Sequence, residues 1–436
     1  MRLPISLAAT LLSLLCVVAI PTAHAQSTVI HAGTLLTIPG EAPRESASLV
    51  LEGDRILRIE DGLVDPASLG PDVAFVDLSN HFVLPGLMDM HVHLRGELNA
   101  NRRMEALTLT SETMTLRAQV NGMKTLRAGF TTVRDLGAPP AVIYALRDAI
   151  EDGLVRGPRI FAAGSSLAAT GGHGDVDGYK AELLELWTPD TICDGPVGCR
   201  AAVRRAVKFG ADWIKITATG GVLSDTGTGL NQQMTDDELK EIMDTAHALG
   251  VKVAAHAHGV DGINAALRAG VDSIDHGTFL DEDSVKLFRE TGAYWVPTLL
   301  PGAILPGQME GNPFFTPEIQ QKVALATSAS DEGFRLAYRR GVRIAFGTDS
   351  GVTPHGDNAL EFALMVDRGM SEADAIRSAT VVTAELLGVS EELGTLEAGK
   401  IADLCVLDAR LSETGPESLA DVQIAMTLVG GQMVES

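Results

Sequence analysis

From residue 87 onward, short apolar runs alternate with stretches whose apolar positions recur every three to four residues. The runs read "LMDMHVH", "TTVRDLG", "RIFAAG", "DWIKITA", "VKVAAHA", "VDSIDHG", "YWVPTLL" and "RIAFGTD". Each is short and rich in apolar residues, which, in alternation with the helical stretches, predicts a strand. The stretches at 140–152, 200–209, 236–249, 261–269, 281–291 and 318–340 carry the helical period. Thr235 and Glu238 form a capping box at the start of one of them. Gly210, Gly250, Gly270, Gly292 and Gly341 fall just past helix ends, where a residue in the left-handed conformation ends a helix at little cost. Eight such units predict an α/β fold, a closed parallel (β/α)8 TIM barrel over 87–387, with a doubly wound open sheet as the alternative. The flanks, 26–86 and 388–436, read as short strands and turns. They predict a small β-sandwich domain built from both chain ends.

Composition changes this picture little, and charge narrows it. Of the 436 residues 45% are hydrophobic, enough to form a core and to exclude a disordered chain. The formal charge of −23 argues against nucleic acid and against anionic membrane surfaces as partners. Residues 1–25 stand apart. Arg2, an apolar run to Ile20 and the small-x-small ending Ala23-His24-Ala25 predict a signal peptide cleaved after Ala25. The apolar run is short for a membrane span. The mature chain is therefore expected to be exported, periplasmic or secreted, and free of the membrane. Export permits disulfides. Cys193 and Cys199, in "CDGPVGC", either close a small ring or stay as two thiols, and the sequence leaves both open. Cys405, in "ADLCVLD", reads as an inert core thiol.

Residues i and i+2 of a strand share a face, so His91 and His93 project together from the end of the first predicted barrel strand. Alone that pair means little. Of eleven histidines, however, seven lie at or just after the ends of predicted strands: His91, His93, His173, His256, His258, His276 and His355. The C-terminal ends of barrel strands converge on one rim, so these imidazoles predict a metal site. Asp349 ends the eighth strand with a carboxylate. Lys215 sits inside an apolar strand, where a lone ammonium is costly. It either pairs with a carboxylate or is carboxylated by carbon dioxide to a carbamate that bridges two cations. Nothing resembles a nucleophile elbow, so Ser165, Ser166 and Ser350 read as structural.

The set His91-x-His93, Lys215, His256, His276 and Asp349 resembles the ligand pattern of the binuclear metal-dependent amidohydrolase superfamily. "LPGLMDMHVHL" is similar to that superfamily's entry into its barrel, and "GTLEAGKIADLCVLD" to its returning β-segment. "TGGHG", "KITATGGVLSDTG" and "VAAHAHG" resemble the branch of Xaa-Pro and Xaa-Arg dipeptidases and ochratoxinase. The resemblance implies that His91, His93 and Asp349 hold one divalent ion and His256 and His276 a second. N6-carboxylysine at Lys215 would bridge them; the mixed imidazole and oxygen ligands make zinc the default metal, and manganese, cobalt or nickel could fill the same shell. Strand geometry places His256 and His258 alike, and only the resemblance assigns the first as ligand. His258 is then a catalytic or substrate-facing residue, and His173 and His355 hold the substrate carbonyl or carboxylate.

The implied enzyme is a carboxypeptidase- or dipeptidase-type hydrolase of N-acyl amino acids, dipeptides or ochratoxin A-like conjugates. A hydroxide between the metals would attack, and Asp349 would carry the proton to the leaving nitrogen. The alternatives are a lactonase or organophosphate hydrolase on the same site and a barrel scaffold without catalysis. A mononuclear deaminase would have no need of the bridging Lys215. The resemblance also favours a homo-oligomer. The stretch 301–318, rich in Gly, Pro and apolar residues, reads as a loop after strand seven. Its Leu305, Met309, Phe314 and Phe315 either line an apolar subsite or pack on a neighbouring subunit.

Overall fold

The structure is a computed structural model that describes residues 27–187, 189–225, 229–408 and 424–434. The predicted signal peptide lies outside the described residues. Four strands open the chain: β1 (Ser27–Leu35), β2 (Arg44–Glu52), β3 (Arg55–Asp61) and β4 (Ala74–Pro85). Eight more follow, one at each predicted apolar run: β5 (Leu87–Val92), β6 (Phe130–Asp135), β7 (Arg159–Ala162), β8 (Trp213–Thr217), β9 (Lys252–Ala257), β10 (Ser273–His276), β11 (Tyr294–Val296) and β12 (Arg343–Ile344). Every residue of β5, β6 and β8 is buried, as strands covered on both faces require. β5, β6 and β7 form one parallel sheet, and β8 to β12 a second. Strand order follows chain order throughout, without the reversal that defines a doubly wound sheet.

Hydrogen bonds also cross between the two sheets at both of their edges. Asp212 N–H donates to the Ala162 carbonyl at 2.9 Å, and Leu167 N–H to Lys215 at 2.8 Å. On the other side Met90 N–H donates to Phe346 at 2.9 Å, and Asp349 N–H to His91 at 2.8 Å.

Amphipathic helices cover the outer faces of these sheets. The capping box of Thr235 and Glu238 starts the helix Asp236–Ala248, and left-handed Gly270 and Gly292 end two others. Their apolar stripes meet the strands in one large cluster, in which Phe130, Phe346 and Phe362 stack with ring centroids 4.4 to 6.4 Å apart. Each such fully buried side chain contributes roughly 1.5–3 kcal/mol of transfer free energy. Two helix boundaries differ from expectation. The helix predicted from residue 200 begins at Gly195, because Pro196 falls in its first turn, where its missing N–H is harmless. Cys193, just before that helix, is disulfide-bonded to Cys199 within it. The predicted loop after strand seven holds a helix, Leu300–Gln308, despite Pro306 inside it. The N–H groups of Leu299 and Leu300, at its start, donate to the buried Glu361 carboxyl, each at 2.8 Å. That distant partner satisfies donors the local sequence leaves open.

The returning strands are β13 (Leu404–Leu407), β14 (Ile424–Val429) and β15 (Gln432–Val434). They join the first four in one sheet, ordered β15-β14-β13-β4-β1-β2-β3. β4 is the joint, parallel to β1 and antiparallel to β13. The expected pair of sheets is thus one continuous sheet. It curls, because its edge strand β3 returns to the segment before β13, with Ile56 N–H donating to Lys400 at 2.9 Å and Gly399 N–H to Ile56 at 2.7 Å. The curl encloses Ile30, Leu49, Ile56, Val83, Leu404 and Leu428 in a cluster of its own. Cys405 faces the larger cluster, and burial pushes its thiol up to about 12. Among the described residues no helix is long and apolar enough to cross a membrane.

Candidate metal centre

The strands deliver their C-terminal side chains to one rim. His91 lies on β5 and His93 just past it, Lys215 on β8, His256 on β9, His276 at the end of β10, and Asp349 five residues beyond β12. Three residues of this rim adopt positive φ without being glycine: His276 at 70°, Thr298 at 47° and Asp349 at 57°. Such conformations cost about 1–3 kcal/mol each and persist where the surroundings over-determine them. For Asp349 the surroundings are visible. Its N–H is held by the His91 carbonyl. Buried Asp89 ties β5 to the same segment, accepting from His91 N–H at 3.0 Å, Thr348 Oγ1 at 2.6 Å and Asn358 Nδ2 at 2.8 Å.

The side chains form two adjoining groups. In the first, Asp349 Oδ1 lies 3.5 Å from His91 Nε2 and 3.2 Å from His93 Nε2. That oxygen is buried and has no hydrogen bond. In the second, His256, His258 and His276 bring ring nitrogens within 4.8 Å of one another. Thr298 Oγ1 is 2.7 Å from His276 Nδ1, and Thr278 Oγ1 is 2.7 Å from His258 Nδ1, which leaves each Nε2 free for the centre. The groups touch where the His91 and His276 rings come within 4.9 Å.

Burial keeps His91, His256, His258 and His276 neutral. It lowers His91 to about 4 and His258 to about 3, and it holds His256 and His276 well below the ordinary histidine value. Neutral imidazoles and a carboxylate oxygen without a proton donor, converging on shared points, are the donor set of a divalent transition-metal centre.

Lys215 is buried beside them. Its Nζ lies 2.9 Å from Asp275 Oδ2, so in this structure the amine is paired with a carboxylate. Burial lowers its proton affinity, and Asp275 opposes that shift. Asp275 is itself shared, with Arg134 Nη2 at 3.2 Å and His91 Nδ1 at 3.3 Å. Burial works to raise this carboxyl, but Lys215 and Arg134 hold it below the ordinary carboxylate range.

A cavity of about 600 Å³ opens onto both groups. His173 and His258 line it, and the ring centroids of His173 and His256 are 4.2 Å apart. Leu305 and Phe314 also line it, while Phe315 is buried in the apolar cluster against which Met309 packs. His355 departs from expectation. It does not line the cavity, since its Nδ1 is 3.2 Å from Thr125 Oγ1 and its Nε2 3.3 Å from the His93 carbonyl. It braces His93 from behind.

A family model described as the amidohydrolase family matches residues 82–434. The chain belongs to the amidohydrolase family. It is a hydrolytic enzyme of a metal-dependent family, and the two side-chain groups are its candidate ligands. An ochratoxinase from Aspergillus niger is 32% identical over 407 residues, covering 89% of this chain and 82% of the relative. The crystal structure of a Xaa-Pro dipeptidase with bound methionine in its active site superposes with a TM-score of 0.89 at 39% identity, over 94% of this chain and all of the other. A prolidase complexed with N-methylphosphonate-L-proline gives 0.83 at 34% identity, with the same coverage. These similarities support the ochratoxinase-like branch of the superfamily.

Two residues of this amidohydrolase centre escaped the sequence reading. Arg134 is fully buried on β6, over the Trp213 ring at 4.5 Å, and Asp275 is fully buried on β10. The signal was available in "TTVRDLG" and "VDSIDHG", since charges inside strands buried on both faces must find one another.

Proposed function

We propose that this enzyme hydrolyses the amide bond of N-acyl amino acids, dipeptides or ochratoxin A-like conjugates and releases a free amino acid. The observation that carries the reading is the pair of adjoining ligand groups at the floor of an apolar-walled cavity. The ochratoxinase and Xaa-Pro dipeptidase relatives support an amide as the scissile bond. The hydrogen bonds at both seams between the two parallel sheets support a closed (β/α)8 barrel as the scaffold. Residues 87–387 would make up that barrel and both chain ends the small β domain. Residues 1–25 support export, and the resemblance supports a homo-oligomer.

In this reading His91, His93 and Asp349 would hold one cation and His256 and His276 the other. Zinc suits their mixed nitrogen and oxygen donors. Lys215, carboxylated, would be a ligand to both cations. Only an unprotonated amine adds carbon dioxide, and burial moves Lys215 toward that form. Divalent cations, when bound, acidify water and polarise a carbonyl. Asp349 Oδ1, free of hydrogen bonds, takes the proton of the attacking water and hands it to the leaving nitrogen. Neutral His258 and His173 face the cavity and orient the substrate carbonyl. Leu305 and Phe314 exclude water and receive the apolar part of the substrate.

The test is product release from N-acyl amino acids, lactones and phosphotriesters by the purified enzyme. Release of free amino acids supports the reading. Turnover confined to lactones or phosphotriesters would replace it with one of the alternatives, and a metal-loaded protein inert on all three would leave only a scaffold.

A further inference from the structure

Next to the first ligand group, two arginines line the cavity wall, and among the described residues neither is in an ion pair. Arg95 follows His93 by two residues, and Arg102 opens the next helix, Arg102–Thr108. Both line the cavity. Arg95 Nε is buried and has no hydrogen-bond partner. Arg102 Nη1 lies 3.7 Å from where a Cβ on Gly96 would stand, so its guanidinium rests over the backbone beside Arg95. The two positive charges repel one another.

The acids around them are already engaged. Asp135 accepts from Leu94 N–H at 2.7 Å and Gly137 N–H at 3.2 Å. Glu97 takes Lys124 at 2.9 Å and His355 N–H at 3.0 Å. Glu105, the acid that faces Arg102, takes Arg117 at 2.8 Å and Asn99 at 3.1 Å. Asp175 accepts the N–H groups of Gly171 and Val176. Among the described residues no carboxylate forms an ion pair with Arg95 or Arg102. The loop that carries Arg95 is fixed at both ends, by Leu94 on Asp135 and by Leu98 N–H on the Gly351 carbonyl at 2.7 Å.

We propose that Arg95 and Arg102 form a carboxylate-binding subsite that selects anionic substrates for this enzyme. An uncompensated cation at a cavity wall is costly, and a ligand carboxylate supplies the missing partner in the fork geometry that guanidinium favours. The carboxylate belongs either to the α-carboxyl of the amino acid released or to an acidic side chain of the substrate. The inference rests on the hydrolytic reading for its substrates, and a binding experiment separates the two.

Phenylacetate and phenylacetamide are titrated calorimetrically into the metal-loaded wild type, R95M, R102M and R95K. The expected result is that each Met variant binds phenylacetate about 10- to 100-fold more weakly. Phenylacetamide affinity should change less than about twofold, metal content should stay equal to wild type, and R95K should recover part of the loss. Loss of both ligands alike, or of neither, overturns the subsite whatever the enzyme hydrolyses. If N-acyl amino acids turn over, kcat/KM is compared in two pairs, α-carboxylate against α-carboxamide and glutamyl against glutaminyl side chains. A variant-specific loss confined to the first pair assigns the α-carboxyl, and one confined to the second assigns the side chain. Equal losses across both pairs overturn the proposal.

Discussion

Asp275 is the carboxylate on which two buried cations depend, so Asp275→Asn is an informative perturbation. The side chain meets Lys215 Nζ at 2.9 Å and Arg134 Nη2 at 3.2 Å, all three groups being buried. Asparagine keeps the shape and removes the charge, which leaves an ammonium and a guanidinium in the interior without an anion. Breaking a buried pair in this way costs about 3–5 kcal/mol. With an unfolding entropy of about 2.1 cal/mol/K per residue, the whole chain unfolds with roughly 0.9 kcal/mol/K, so Tm should fall by about 3–5 °C. The assay is thermal unfolding by circular dichroism after chelation, because carboxylation would remove the Lys215 charge. Adding Lys215→Met to the variant removes one stranded cation and should restore about 1 °C or more. The pH dependence has a definite sign. The folded-state pKa of Asp275 lies below its unfolded value, so its stabilisation is present above the unfolded carboxylate range and lost as pH falls through the folded one. The gap between wild type and variant should therefore begin to narrow below about pH 5 and go on narrowing below about pH 3. A variant within about 1 °C of wild type near neutral pH, or a gap indifferent to pH, would refute the reasoning.

Further outcomes follow from the same structure. Replacing Cys193 and Cys199 by serine opens a ring of sequence separation 6, which should lower stability by about 2 kcal/mol and Tm by about 2–3 °C. A reductant applied to the wild type should reproduce that shift. His355→Ala should lower Tm by about 1–2 °C while leaving KM within about twofold, because the ring braces His93 and does not enter the cavity. A KM rise above tenfold would return His355 to the substrate site. His91, His173 and His258 are lowered by burial to about 4, 4 and 3, so the unfolded chain takes up their protons before the folded one does. Stability of the metal-free protein should therefore fall as pH drops from about 6.5 toward 4. Bound cation should be retained at pH 6 and released near pH 4, as followed by metal analysis after dialysis.

What was legible in the sequence was what is periodic or local. Eight apolar runs gave eight strands, and histidines at their ends met at one rim because a parallel α/β layout brings those ends together. The helix at 300–308 was not legible. Pro306 argues against it locally, and its start is held by Glu361, about sixty residues away. That both chain ends share one β domain was legible, but its form as a single curled sheet was not, since it depends on the register of β4 with β13, more than three hundred residues apart. Asp275 and Arg134 lie on different strands far apart in the sequence, and only the fold brings Asp275 between Lys215 and Arg134. His355 sits at a rim position yet points behind it, a distinction that strand spacing does not encode.

The central claim is that His91, His93, Lys215, His256, His276 and Asp349 close around two cations. The direct measurement is an anomalous difference map from crystals grown with zinc and bicarbonate. The account predicts two peaks, one among His91, His93 and Asp349 and one at His256 and His276, with extra density on Lys215 Nζ joining them. A single peak elsewhere, or an uncarboxylated Lys215 still paired with Asp275 at full metal occupancy, would contradict it.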